Sequence, residues 1–127
     1  MATTDIHISA YMETELMTNQ QLTQEVTQLH ADICSALADP SRILLLYALV
    51  DKPRTVNELT NDVQISQSAT SRHLKVLRER GLVSATRQGQ SIEYTLTDAR
   101  IIEALDLLRA VLRDSLSRRA NLMIEVE

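Results

Sequence analysis

The sequence has no Trp and no Phe, three Tyr, one Cys, two Gly and two Pro in 127 residues. Each scarcity excludes something. Without large aromatics beyond Tyr11, Tyr47 and Tyr94, the core must be built from Leu, Ile, Val, Ala and Met. A single cysteine, Cys34, rules out an intrachain disulfide and any CxxC metal or redox motif. So few Gly and Pro leave long uninterrupted segments, and abundant Leu, Ala and Arg favour helix within them. No apolar run approaches the roughly 20 residues that span a bilayer. The N-terminal MATTDIHISAYMETE lacks the basic start and apolar centre of a signal peptide. The expectation is one soluble cytoplasmic domain, with no membrane association and enough chain for a real core.

Positive charge is missing from the first 40 residues, which carry Asp5, Glu13, Glu15, Glu25, Asp32 and Asp39 and no Lys or Arg. Residues 64–90 reverse this, with Arg72, Lys75, Arg78, Arg80 and Arg87 against Glu79 alone, although the whole chain has net charge −4. A local basic patch on an acidic molecule suggests a polyanion met on one face. An ordinary solvated helix face would also carry such charges, so charge alone leaves both readings open.

Periodicity predicts a mainly α protein with a small β-hairpin. Residues 1–10 read as a tail and 11–18 as a short helix. Leu22, Val26, Leu29, Ile33 and Leu37 recur at three- and four-residue steps, predicting an amphipathic helix over 20–38. Asp39 and Pro40 then read as the N-cap and first residue of a new helix. SRILLLYALV is apolar nearly all round, which predicts a central, buried helix. Pro53 biases Lys52 away from helix and ends it. Thr55 and Glu58 have capping-box spacing for a short helix over VNELTNDV. After a turn at QIS, Ser66 caps a helix from Gln67 to Arg80, stopped by Gly81. LVSATR and SIEYTLT, rich in β-formers, flank a turn near Gly89. Asp98 caps a long last helix with Ile101, Ile102, Leu105, Leu108, Val111, Leu112 and Leu116 in its stripe.

Two helices joined by a tight turn, the second rich in Ser, Gln and Arg, describe a helix-turn-helix, and the hairpin after it describes a wing. At about 100° per residue, Ala69, Thr70, His73, Leu74, Val76 and Leu77 share one side of the second helix, which must face the core. Ser68, Ser71, Arg72, Lys75, Arg78 and Glu79 share the other. Short hydroxyls at the start and cations further along suit a major groove, where hydroxyls and amides reach base edges and cations reach phosphates. The candidate contacts to double-stranded DNA are Ser66, Gln67, Ser68, Ser71, Arg72, His73, Lys75 and Arg78, with Arg87, Gln88 and Gln90 from the wing.

ALADPSRILLLYAL, followed by SQSATSRHLKVLRERGLV and a Gly-centred wing, resembles the ArsR/SmtB family of dimeric winged-helix repressors, over about residues 20–115. The resemblance implies a homodimer, an operator of two-fold symmetry and repression relieved by an inducer. It also implies that the first and last helices form the dimer interface, through Leu22, Val26, Leu29 and Ile33 and through Ile101, Leu105, Leu108 and Leu112. The organisation expected is then a tail with its short helix at 1–19, a winged helix-turn-helix DNA-binding and dimerisation domain at 20–118, and a C-terminal tail at 119–127.

The inducer is where the chain departs from the family. Metal-sensing members carry a Cys-Val-Cys-Asp-Leu string where this chain has Thr55-Val56-Asn57-Glu58-Leu59, so both thiolates are missing. A second family site, on the last helix, uses Asp, two His and an acid or His. Aligned from Asp98, its His positions fall on Arg100 and Val111 and its last on Asp114, and neither Arg nor Val binds zinc. No metal and no cofactor is expected, and the inducer is unidentified. Cys34 reads as a small apolar packing residue or as a thiol open to oxidants. His30, four residues earlier, has helical metal-ligand spacing with it, which two chains would have to complete. His73 sits at the core edge, structural or touching phosphate. No phosphate loop, catalytic triad or paired-carboxylate pocket is present, so no enzyme is expected. Two functions stay open: a DNA-binding repressor, in one variant redox-responsive through Cys34, and a winged-helix module for protein contacts. Outward hydroxyls and Arg72 favour DNA, since a protein interface would show outward Leu, Met or Tyr.

Overall fold

The structure, a computed structural model, describes residues 18–126; the tail and short helix expected over 1–17 lie outside them. The chain divides between Ala38 and Asp39 into two compact units.

In the first unit, helix α1 spans Asn19–Leu29. Thr18 accepts from the Gln21 N–H at 3.1 Å, and the Gln21 side chain accepts from the Thr18 N–H at 2.9 Å, a reciprocal cap. The sequence predicts one α-helix through residue 38. Instead, His30–Cys34 is π-helical, with the Ser35 N–H bonded to the His30 carbonyl five residues back. The Ser35 hydroxyl donates to the Ala31 carbonyl in the same turn.

The second unit holds the rest. Helix α2 spans Pro40–Ala48, with Asp39 accepting from the Ser41 N–H at 2.8 Å and Pro in the first turn. Leu45, Leu46 and Leu49 of this segment are buried, but Leu44 and Val50 are exposed, so the run SRILLLYALV is buried on one side only. Strand β1, Arg54–Thr55, is a two-residue element that periodicity did not predict. Helix α3, Val56–Val63, starts with the expected box: the Glu58 N–H donates to Thr55 Oγ1 and the Thr55 N–H to Glu58 Oε1. It ends at Gln64 in the left-handed region, φ 63°.

Helix α4 spans Gln67–Glu79, its N-cap Ser66 accepting from the Ala69 N–H. At its other end Gly81 takes φ +76°, Gly81 N–H reaches the Arg78 carbonyl and Leu82 N–H that of Leu77. That pair of bonds is a Schellman cap, and the positive φ is why Gly stands there. Strands β2 (Val83–Gln88) and β3 (Ser91–Leu96) form the expected hairpin, with Gln88 opposite Ser91 and Gly89 at φ +65° in the two-residue turn. β1 adds to the far edge of β3, giving a three-stranded antiparallel sheet of order β1-β3-β2.

Helix α5 spans Arg100–Val126, with Asp98 accepting from the Arg100 N–H at 2.9 Å. It runs through residues 119–126, where a tail was expected. No Gly or Pro occurs after Gly89 to stop it. The core of this unit is aliphatic: Leu45, Leu46, Leu49, Leu59, Leu74, Leu77, Leu82, Val83 and Leu105.

Candidate nucleic-acid interface

The two faces of α4 fall as its sequence pattern requires. Thr70, His73, Leu74 and Leu77 are buried and Ala69 and Val76 half-buried, while Ser68, Ser71, Arg72, Lys75, Arg78 and Glu79 are exposed. α3 and α4 are joined by the turn Gln64–Ser66, and a hydroxyl relay fixes them: Thr60 Oγ1 donates to Thr70 Oγ1 at 2.9 Å, and Thr70 Oγ1 to the Ser66 carbonyl at 2.9 Å. Thr70 is fully buried, so the relay is shielded from water.

Among the described residues, no carboxylate pairs with Arg72, Lys75, Arg78 or Arg87. The four cations are available to an anion from outside the chain. Arg87, Gln88 and Gln90 are all exposed at the wing tip. A groove of about 290 Å³ joins this tip to the start of α4; Asn57, Gln67 and Gln90 line it with amides and Thr55 and Ser91 with hydroxyls. Asn57 was not among the candidates from sequence. The signal available was its place in the first turn of α3, beside the Thr55 cap.

Two of the DNA candidates are engaged within the fold. His73 lies on the core side of α4, where the wheel places it. It is 8% exposed, with Nδ1 3.3 Å from Arg42 Nη1 and Nε2 3.9 Å from Asp39 Oδ2. His73 thereby ties α4 to the start of α2. The bond from the Ser41 N–H holds the Asp39 carboxyl below its ordinary range, and His73 and Arg42 act in the same direction. Ser66 is the second case: its hydroxyl caps α4 and lies 3.3 Å from Ser68 Oγ, so its oxygen is already engaged.

The apolar stripes are also resolved residue by residue. Leu22, Val26 and Leu29 of α1 are exposed and Ile33 is half-buried. On α5, Ile101 is half-buried and Leu105 is 4% exposed. Leu108 and Leu112 are exposed, as are Leu107, Val111 and Leu116. Cys34 is exposed in the protomer. Thr55 Oγ1 and Asp98, which stand in the family's two metal-site strings, are held within the fold: the first caps α3 and the second pairs with Arg100 at 2.7 Å.

A helix-turn-helix whose second helix is basic on its outer face, followed by a β-hairpin, defines a winged helix-turn-helix protein. Comparison with known proteins agrees. Residues 39–85 match the family model "Bacterial regulatory protein, arsR family". The chain is 42% identical over 76 residues to the HTH-type transcriptional regulator NmtR of Mycobacterium tuberculosis, covering 60% of this chain and 63% of that one. It is 38% identical over 97 residues to the HTH-type regulator Rv0081 of the same species, covering 76% of this chain and 85% of that one. The crystal structure of Rv0081 superposes with a TM-score of 0.67 over 75% of this chain and 96% of that one. The homodimeric winged helix-turn-helix DNA-binding domain of Mb0332 from Mycobacterium bovis, 22% identical, shares the fold with a TM-score of 0.66 over 81% of this chain and 94% of that one. The chain belongs to the arsR family of bacterial regulatory proteins.

Proposed function

We propose that the protein is a homodimeric transcriptional repressor that binds an inverted-repeat operator in the cytoplasm. The observation that carries this reading is the outer face of α4: Ser68 and Ser71 at its start, then exposed Arg72, Lys75 and Arg78 without carboxylate partners among the described residues. Gln67, Ser68, Ser71 and Arg72 lie near base edges, and Lys75, Arg78 and the wing's Arg87 meet phosphates. Gln88 and Gln90 extend the contact from the wing tip. Two copies are needed because an inverted repeat presents its half-sites about one helical turn apart. The exposed leucines of α1 and α5 supply apolar surface for that pairing, and the Mb0332 relative is described as a homodimer. Among the described residues, no helix is long and apolar enough to cross a membrane.

The reading extends to the signal. Thr55 and Asn57 replace the family's thiolates, and Arg100 and Val111 its histidines, so the regulator does not respond to metals through those sites.

The test is fluorescence anisotropy with operator DNA selected from a random pool by the protein itself. Arg72→Ala is expected to weaken binding by about 1–3 kcal/mol and to relax preference at one position of each half-site. Lys75→Ala weakens all sequences alike and lowers the salt slope by about one unit. Binding that ignores salt, or survives Arg72→Ala unchanged, refutes the interface.

A further inference from the structure

A cavity of about 340 Å³ opens between α2 and α3, away from the outer face of α4. Its lining is of two kinds. Leu44, Tyr47, Ala48 and Val63 are apolar or aromatic; Asp51, Arg54 and Asp62 are charged. The volume lies in the range of small-ligand sites, about 300–1,000 Å³, and an apolar lining with a few convergent polar groups is what such sites share.

The charges are not equivalent. Arg54 is committed: its Nε donates to the Ala48 carbonyl at 2.7 Å and its Nη1 pairs with Asp62 at 3.2 Å. Arg54 and Asp62 thus cancel. Asp51 has no ion-pair partner among the described residues, and it leaves the lining with one uncompensated negative charge. The ring of Tyr47 is held in place: its hydroxyl donates to Asp106 Oδ1 at 2.6 Å, and the Arg109 guanidinium lies 5.3 Å from the ring centroid.

We propose that this cavity binds a small ammonium compound with an apolar or aromatic body. The body covers Leu44, Tyr47 and Val63, and the ammonium group faces Asp51. An anion would meet a net negative lining. A neutral polar ligand would find no free hydroxyl or amide side chain there, since the Tyr47 hydroxyl is already bonded. The site stands apart from the DNA-binding reading and does not depend on it.

Isothermal titration of the full chain, without DNA, tests this with three probes of one shape: 2-phenylethylamine, 2-phenylethanol and 3-phenylpropionate. The amine is expected to bind saturably with a millimolar Kd, as suits a ligand of its size. The alcohol is expected to bind about tenfold more weakly, the gap that loss of one ion pair of about 1.4 kcal/mol produces, and the carboxylate not at all. Asp51→Asn weakens the amine by a similar factor. Leu44→Arg, at a position exposed enough to leave the fold intact, abolishes it by placing a cation in the opening, and a thermal melt confirms that both variants fold. The proposal is overturned if the amine shows no saturation up to about 30 mM, well beyond a millimolar Kd. It is equally overturned if the three probes bind alike, or if Asp51→Asn and Leu44→Arg leave the amine unaffected.

Discussion

Thr60 and Thr70 share a hydrogen bond of 2.9 Å between their hydroxyls, the polar link that joins the two helices of the helix-turn-helix. Thr70 passes the relay on to the Ser66 carbonyl, at the residue that caps α4. The angle of the outer face is therefore set from beneath. Thr70→Val keeps the volume but leaves the half-buried Thr60 hydroxyl without its acceptor. It is expected to cost about 1–2 kcal/mol, read as a lower urea midpoint, because an abandoned polar group loses more than the bond itself contributes. A Thr60→Val, Thr70→Val double variant should recover part of that loss. If the double variant is as unstable as the sum of the singles, the two hydroxyls are not coupled.

Leu105 and Leu108 stand three residues apart on α5 and have opposite fates, 4% and 61% exposed. Leu105→Ala is expected to destabilise the fold by about 2–5 kcal/mol, the usual range for truncating a buried leucine. Leu108→Glu is expected to leave the protomer's thermal melt intact while shifting light-scattering mass from dimer to monomer and weakening operator binding. A Leu108→Glu protein that stays dimeric would remove this stretch of α5 from the interface.

These contrasts show what was legible in the sequence. Caps, turns and the two faces of α4 depend on residues within four positions of each other, so Asp39, Thr55, Ser66 and Gly81 could be read directly. β1 could not, because it is two residues long and its partners, Tyr94 and Glu93, lie some forty positions away. The π-helical step at His30–Cys34 leaves no mark in apolar residues spaced three and four apart. The stripe on α5 was visible, but not which part of it the protomer covers: Leu105 is buried while Leu108 is exposed. His73 was placed at the core edge correctly, yet its partner Arg42 is thirty-one residues away and left no local signal. The end of α5 was misread because the apolar pattern fades after Leu116 while nothing stops the backbone.

Acid should loosen the helix starts before it affects the aliphatic core. Asp98 is held at about 2, against an ordinary value of 3.8, by hydrogen bonds from the Arg100 side chain and then its N–H. Glu58 is lowered first by the Thr55 N–H, and Asp39 by the Ser41 N–H. A carboxylate whose pKa is depressed by folding contributes stability that is full above its unfolded value and is lost as pH falls through its folded one. The window for Asp98 is therefore from about 3.8 down to about 2. Urea titrations between pH 6 and 2 are expected to show stability falling in that range, and Asp98→Asn should flatten the acid arm while lowering the plateau at neutral pH. An acid arm unchanged by Asp98→Asn would mean that the cap of α5 does not contribute.

Cys34 is exposed on the π-helical turn, four residues after His30, which is also exposed. It is the only thiol in the chain, so oxidants or electrophiles can modify it or bridge it to a second copy, but it cannot close an intrachain bond. Zinc, cadmium and arsenite are expected to leave DNA binding unchanged in the wild type and in Cys34→Ser alike, and peroxide to act slowly or not at all. Release is measured as loss of anisotropy from labelled operator DNA. Release by zinc in the wild type but not in Cys34→Ser would point to a site that Cys34 and His30 complete across two chains. Zinc release in both proteins would point to ligands elsewhere, and rapid release by peroxide in the wild type alone would make Cys34 the sensor.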